Sequence, residues 1–390
     1  MDKITIGLFT DAFFPMTDGV GMVVDNYAKR LIKYGDVCVF APSYHEYFDD
    51  SVFPYKVIRC KSVKVPFIDY SLSTPKVDYS FLKQVNSFNF DIIHIHSPFT
   101  IGKVGVSYAK KHHVPLVGTM HSQYKQDFMR AVRNNILATK LTDILIKVYN
   151  KCDECWAVNS EVARIFYEDY GYKCLPKVMN NATEMLPVND KDKACKLINE
   201  KYNIGNEKVL IFVGRINNLK NVFFIIDALI ELQKINPSFK YKMLFVGTGQ
   251  DEEELKKRIA KNNLEDNVIL CGKVTDRNLL ACIYARSDLF LFPSYYDASS
   301  IVQIEAAAQK TPVLFLKDSA ISATVTNNVN GFIEENDTKK YAERILNIFL
   351  NDELYHSVCE NAYKDLYKNW DSKIEEVVGE YKILIKKYKK

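Results

Sequence analysis

Val209-Leu210-Ile211-Phe212-Val213-Gly214, followed at once by Arg215-Ile216-Asn217-Asn218-Leu219-Lys220-Asn221, decides how this 390-residue chain folds. Five apolar residues in a row are too few for a helix and suit a strand covered on both faces. The glycine allows a tight exit, a polar loop follows, and helical spacing begins at about Val222. Strand, loop, helix is the opening unit of a parallel sheet with crossover helices. Yet it stands in the middle of the chain, and a similar series has already run before it. Strand-like runs occur at 4–9, 37–41, 91–96, 114–119 and 154–159, with helical segments at 20–34 and 101–112 and a long helical stretch before residue 150. After a crossing segment at 177–183 and a helix at 190–202, the rhythm restarts at Val209 and continues with strands at 241–246, 267–271, 289–293 and 311–315. The expected fold class is α/β, with two Rossmann-like domains facing across a cleft. Residues 1–180 would form the first domain and 181–370 the second, with a C-terminal helix, 371–390, crossing back to the first.

Composition agrees with a globular chain of this size. Hydrophobic residues make up 47% and charged residues 26%, which excludes disorder and coiled coil. The formal charge of +4 is too small for a nucleic-acid-binding protein. No apolar run approaches the ~20 residues of a membrane-spanning helix. The first residues carry Asp2 and Asp11 and read as a strand, not a secretory signal. Nine cysteines without a framework read as reduced thiols in a cytoplasmic protein.

In a parallel sheet, chemistry collects at the carboxyl ends of the strands. The first such turn is Thr17-Asp18-Gly19-Val20-Gly21, where glycine lets backbone N–H groups approach an anion or, more simply, makes a turn. After the strand at 114–119 come His121, Ser122 and Gln123, and a histidine there can donate to a sugar or phosphate oxygen or move a proton. His94 and His96 alternate on a strand and share a face; His45 and His356 lie in polar surroundings. Arg215 and Lys220 offer a planar fork and a mobile point charge, a pair suited to a diphosphate; a solvated loop is the plainer alternative. Val246-Gly247-Thr248-Gly249-Gln250 is followed by an acidic helix start, which repels phosphate and suits a wall of the site. The most telling loop runs from Phe292 to Glu305. Asp297 precedes a helix capped by Ser299 or Ser300, and Glu305 lies inside that helix among alanines. A carboxylate in so apolar a helix needs a partner, either ligand hydroxyls or an unseen cation. Cys152-Asp153-Glu154-Cys155 is a lone CxxC that fits packing at a helix end better than zinc. No histidine or cysteine spacing suggests a metal site.

Charge is unevenly spread. Residues 51–150 carry 14 Lys and Arg against 5 Asp and Glu. Arg133, Lys140 and Lys147 recur every seven residues, so on one continuous helix they share a face with Leu137 and Ile144 interleaved. Arg130 lies just ahead of them. Mixed basic and aliphatic residues suit an anionic membrane surface. Tyr70, Tyr79 and Phe81, with Lys61, Lys64 and Lys76, extend that surface; a core helix with a solvated edge is the alternative.

Taken in order, Gly19, Thr119-x-His121, Gly214-Arg215-x4-Lys220 and Asp297-x7-Glu305 resemble glycosyltransferase family 4, the retaining nucleotide-sugar enzymes of the GT-B fold. The resemblance covers about residues 4–380. With His94-Ile95-His96-Ser97-Pro98-Phe99 it is most similar to the bacterial diacylglycerol glucosyltransferases. It implies an acceptor-binding first domain and a nucleotide-sugar-binding second one. Arg215 and Lys220 would hold the donor diphosphate, with N–H groups near Gly19, Gly214, Ser299, Ser300 and Ile301 touching phosphate or sugar. Glu305 would hold the ribose hydroxyls, Asp297 and His121 the sugar, and the backbone at Gly272-Lys273-Val274 the base. Arg130, Arg133, Lys140 and Lys147 would meet the membrane or acceptor. No metal or other cofactor is implied. The substrate would be a UDP-sugar, the acceptor a membrane glycerolipid or a soluble or lipid-linked saccharide, and the enzyme would lie on the inner face of the cell membrane. A UDP-sugar epimerase and a non-catalytic nucleotide-sugar-binding partner protein are the other readings. The family usually has Glu where this chain has Asp297, a side chain shorter by about 1.5 Å.

Overall fold

The computed structural model describes residues 3–16, 18–44, 46–64 and 71–389. Thr17, His45, Tyr70 and Lys390 of the sequence reading lie outside the described residues. The chain divides into two compact units, residues 1–181 with 370–390, and residues 182–369.

In the first unit the strands are β1 (Ile4–Phe9), β2 (Gly35–Pro42), β3 (Lys56–Cys60), β4 (Ser62–Lys64), β5 (Ser71–Ser73), β6 (Ile92–Ile95), β7 (Leu116–Met120), β8 (Glu154–Ala157) and β9 (Lys177–Val178). Seven of them form one parallel sheet in the order β3-β2-β1-β6-β7-β8-β9, while β4 and β5 pair antiparallel beside it. In the second unit, β10 (Lys208–Val213), β11 (Tyr241–Val246), β12 (Val268–Gly272), β13 (Leu289–Phe292), β14 (Val313–Leu316) and β15 (Phe332–Glu334) form a parallel sheet in the order β12-β11-β10-β13-β14-β15. The central strands are buried along most of their length, which is why they are continuous apolar runs. The edge strand β3 alternates in burial and carries Lys56 and Arg59, so its apolar signal is weaker.

Each sheet has one place where the strand order reverses. In the first unit it lies between β1 and β6, in the second between β10 and β13. Loops leaving two such strands part in opposite directions and open a crevice at the carboxyl ends. Those loops carry Gly19 and His96 in the first unit, and Arg215, Lys220 and Asp297 in the second.

The tail helix Trp370–Tyr388 packs on the first unit. Its Trp370 and Tyr381 are fully buried, against Tyr27 and against Trp156 and His94 respectively. Burying two such aromatic rings contributes on the order of 3 kcal/mol each.

Candidate active site

In the second unit the loop after β10 is held in place by its neighbours. Gly214 N–H donates to Val246 O and Ile216 N–H to Thr248 O, both at 3.0 Å. Two glycines make that approach possible. A Cβ on Gly247 would stand 1.9 Å from Gly214 O, and one on Gly249 2.0 Å from Ile216 O. The turn at 247–249, expected as a wall of the site, is thus a brace for the cationic loop. Asp251 of the acidic run accepts from Asn218 N–H at 2.6 Å, spending its charge on that loop. On the other side, Asn221 donates to Pro293 O at 3.1 Å and Ser294 Oγ to Leu219 O at 3.3 Å.

Lys220 is brought directly to Asp297. Its ammonium donates to Asp297 Oδ1 at 2.5 Å and stands 5.6 Å from the centre of the Phe292 ring. Asp297 Oδ2 is buried and, among the described residues, has no hydrogen-bond partner. One oxygen of this carboxylate therefore orients the lysine while the other is left to accept. Arg215 is exposed on the same loop. The helix after β13 spans Ile301–Ala308, so its N-cap is Ser300 and not Ser299. The Ser300 side chain makes no capping hydrogen bond, unlike the caps of most helices here.

Glu305 lies in that helix, its side chain 5% exposed. Arg277, 54% exposed, donates to Oε1, while Tyr284 donates to Oε2 at 3.4 Å and Thr183 also hydrogen-bonds the carboxylate. Burial pushes its pKa above the usual carboxylate range, opposed by Arg277. The unseen cation of the sequence alternative is thus Arg277, which the sequence reading missed. Its signal was its place at the first turn of the helix after β12, close to Gly272-Lys273-Val274. The Val274 side chain packs against the core. A hollow of about 590 Å3 adjoins Arg277, lined by Met185, Leu186, Val188 and Leu197 among others; its lining includes none of the expected site residues.

In the first unit, three imidazoles stack. His94 and His96 have ring centres 4.1 Å apart, and His96 and His121 5.4 Å apart. His94 is held by Tyr381 Oη at 2.6 Å and Thr119 Oγ1 at 2.7 Å. His96 Nδ1 meets His121 Nε2 at 3.2 Å. Burial lowers the pKa of all three, that of His121 to about 3. Burial therefore favours the neutral form of all three rings at physiological pH. Asp11, also missed from sequence, ties the loop after β1 to the loop after β6. It accepts from Ile101 N–H and Thr100 Oγ1, both at 2.8 Å, and from Ser97 Oγ at 3.0 Å. Gly19 opens the helix Gly19–Leu31, and a Cβ there would meet nothing within 4 Å. The tight position is Gly21, whose N–H donates to the Asp18 carboxylate at 2.6 Å.

The basic stripe needs correction. The long helical stretch is two helices, Tyr124–Val132 and Asn135–Tyr149, broken at Arg133, which turns left-handed at φ 51°. Arg133 therefore does not continue the face of Lys140 and Lys147. Those two share an exposed face with Ile136, Leu137 and Ile144, which are 70%, 45% and 48% exposed. Arg130 and Arg133 are exposed at the end of the first helix. Phe81 belongs to the core, so it does not extend this surface, whereas Tyr79 is exposed. Cys152 and Cys155 are buried under Gly118, where a Cβ would press on both sulfurs. Among the described residues no helix is long and apolar enough to cross a membrane, and no group of three or more His, Cys, Asp or Glu is placed to hold a metal ion.

Two family descriptions match the sequence, Glycosyltransferase Family 4 over residues 17–183 and Glycosyl transferases group 1 over residues 196–365. The chain is 24% identical over 385 residues to the alpha-monoglucosyldiacylglycerol synthase of Streptococcus pneumoniae, covering 95% of this chain and 84% of that protein. It is 25% identical over 378 residues to the enzyme of the same name from Acholeplasma laidlawii, covering 92% and 91%. Among solved structures it is similar to a glycosyltransferase from Rickettsia africae, with TM-score 0.77, 20% identity and coverage of 99% and 100%. It is also similar to Anabaena HepE in complex with UDP, with TM-score 0.75, 16% identity and coverage of 97% and 99%.

Proposed function

The chain belongs to glycosyltransferase family 4, and from that premise we propose that it moves glucose from UDP-glucose onto a membrane glycerolipid hydroxyl, with retention and without a bound metal ion. The observation that carries this proposal is the Lys220–Asp297 pair at the β10/β13 switch point, one carboxylate oxygen steering the cation and the other buried and unpartnered. Breaking the glycosyl–phosphate bond gathers charge on UDP. Lys220, held by Asp297, and the N–H groups at the start of the helix Ile301–Ala308 are pre-placed donors for that charge, with Arg215 a further cation on the same loop, so little reorganisation of the held donors is needed at the moment of reaction. Asp297 Oδ2 accepts from a sugar hydroxyl, Glu305 from the ribose, and the backbone near Val274 reads the base. His121 bonds to a sugar oxygen. The helix start at Gly19 already carries the Asp18 carboxylate, so it suits sugar hydroxyls better than phosphate.

A glycerolipid acceptor is supported by the exposed Ile136, Leu137 and Ile144 beside Lys140 and Lys147, and by the names of the two relatives. Each lysine or arginine close to an anionic surface adds roughly 1 kcal/mol of attraction, and the aliphatic side chains add apolar burial. The enzyme would then work at the inner face of the membrane without spanning it.

The test is UDP release from UDP-glucose by the purified protein, with diacylglycerol in neutral or anionic vesicles and with soluble saccharides as alternative acceptors. Release should depend on diacylglycerol and rise with anionic lipid. Arg215→Ala and Lys220→Ala should each lower it by about 100-fold or more. No release above background with any acceptor, or wild-type rates in both variants, would defeat the proposal.

A further inference from the structure

His96 is 0% exposed and its two nitrogens are treated differently. Nδ1 meets His121 Nε2 at 3.2 Å, whereas Nε2 is buried and, among the described residues, has no hydrogen-bond partner. A neutral imidazole carries one N–H and one lone pair. The His96–His121 bond needs one of each, which leaves two arrangements. In one, His96 bears its proton on Nε2, and a buried N–H is left without an acceptor. In the other, the proton is on Nδ1 and only a lone pair is left bare. Orphaned buried N–H groups are rarer than under-satisfied acceptors.

We propose that His96 is a positioning residue that donates from Nδ1 to His121 Nε2 and so fixes His121 as the Nδ1–H tautomer. The chemical consequence is specific. The only lone pair of the neutral His121 ring is spent on His96, so His121 can donate a hydrogen bond to an oxygen but cannot take a proton from an acceptor hydroxyl. The partner of its Nδ1–H is an oxygen atom of the substrate, a sugar hydroxyl or a phosphate. His94 stiffens the arrangement from behind. Its ring stacks on His96 and is pinned at both nitrogens by Tyr381 and Thr119, so neither ring turns without breaking buried hydrogen bonds. This rests on the proposal that His121 touches the sugar, but the tautomer stands apart from it and is measured without substrate.

Two measurements test the idea. Long-range proton–nitrogen NMR spectra of the full chain labelled with 15N-histidine, assigned by the loss of signal in His121→Gln, report which nitrogen of His121 carries the proton. The Nδ1–H pattern is expected; an Nε2–H pattern overturns the proposal whatever the enzyme's activity. The kinetic arm compares His96→Asn, whose amide can donate from the Nδ1 position, with His96→Leu, which cannot donate. His96→Leu should lose about 10-fold or more in kcat with the KM for donor within about twofold, and His96→Asn should recover most of that loss. Equal rates in the two variants, both folded by thermal melting, would also overturn it. If no acceptor supports transfer by the wild type, the transferase proposal fails while the spectra still decide the tautomer.

Discussion

Arg277→Met isolates the electrostatics around Glu305. The carboxylate is 5% exposed and its cation 54% exposed, so the pair is neither a surface salt bridge nor a fully buried one. Two unit charges about 4 Å apart interact by roughly 4 kcal/mol at an effective dielectric of 20, and by about 1 kcal/mol in bulk water. With half of the guanidinium in solvent we expect a loss of roughly 2 kcal/mol at neutral pH. For a unit of this size that lowers Tm by about 4–8 °C. The loss depends on pH in a fixed direction. Burial already raises the folded pKa of Glu305, and removing Arg277 raises it further. A raised acid binds its proton more tightly in the folded state, a stabilisation present at low pH and lost as pH rises through the folded pKa. The deficit of the variant is therefore largest at neutral and alkaline pH and shrinks as pH falls through the raised folded pKa. Thermal melts of wild type, Arg277→Met, Glu305→Gln and the double variant across that range provide the assay. Adding Glu305→Gln to Arg277→Met should restore most of the lost stability. A variant as stable as wild type at neutral pH, or a deficit that grows on acidification, would refute the claim that Arg277 compensates a buried charge.

Gly247→Ala should lower Tm and abolish the thermal stabilisation by UDP, because its Cβ would stand 1.9 Å from Gly214 O at a φ of +138° and push the cationic loop aside; unchanged melting and binding would exclude this bracing role. His94, His96 and His121 are held neutral, with folded pKa values below the unfolded value. Their stabilisation is present above about pH 6.5 and is lost as pH falls towards about 3, so urea unfolding should show uptake of two to three protons across that interval. Chelation with EDTA should leave transferase activity unchanged, and NMR of the product's anomeric carbon should show the configuration of the donor; loss of activity restored by a divalent ion would argue against metal-independent transfer.

The strand rhythm was legible because buried parallel strands are short, nearly continuous apolar runs. β1 and β11 were readable to the residue, and β10 to within one. β3 and β15 were not, since an edge strand of alternating or very short pattern looks like a loop. The break at Arg133 was hidden as well. A left-handed residue between two amphipathic helices leaves the apolar spacing almost intact, so a seven-residue charge repeat passed through it. Asp297 and Glu305 were found by their position after a strand and by the oddity of a carboxylate among alanines. Their partners were not, because Lys220 is 77 residues from Asp297 and Arg277 is 28 from Glu305, and nothing local joins them.

By itself the sequence determined the two α/β series and the strand ends at which charged and glycine-rich loops would lie. It could do so because backbone periodicity and apolar runs are local properties. Only the tertiary structure decided which charge each carboxylate meets and that the buried His94 and His96 stack with the half-buried His121. Hydrogen bonding, desolvation and pairing depend on distances between residues far apart in the chain, and those distances exist only once the sheets have formed.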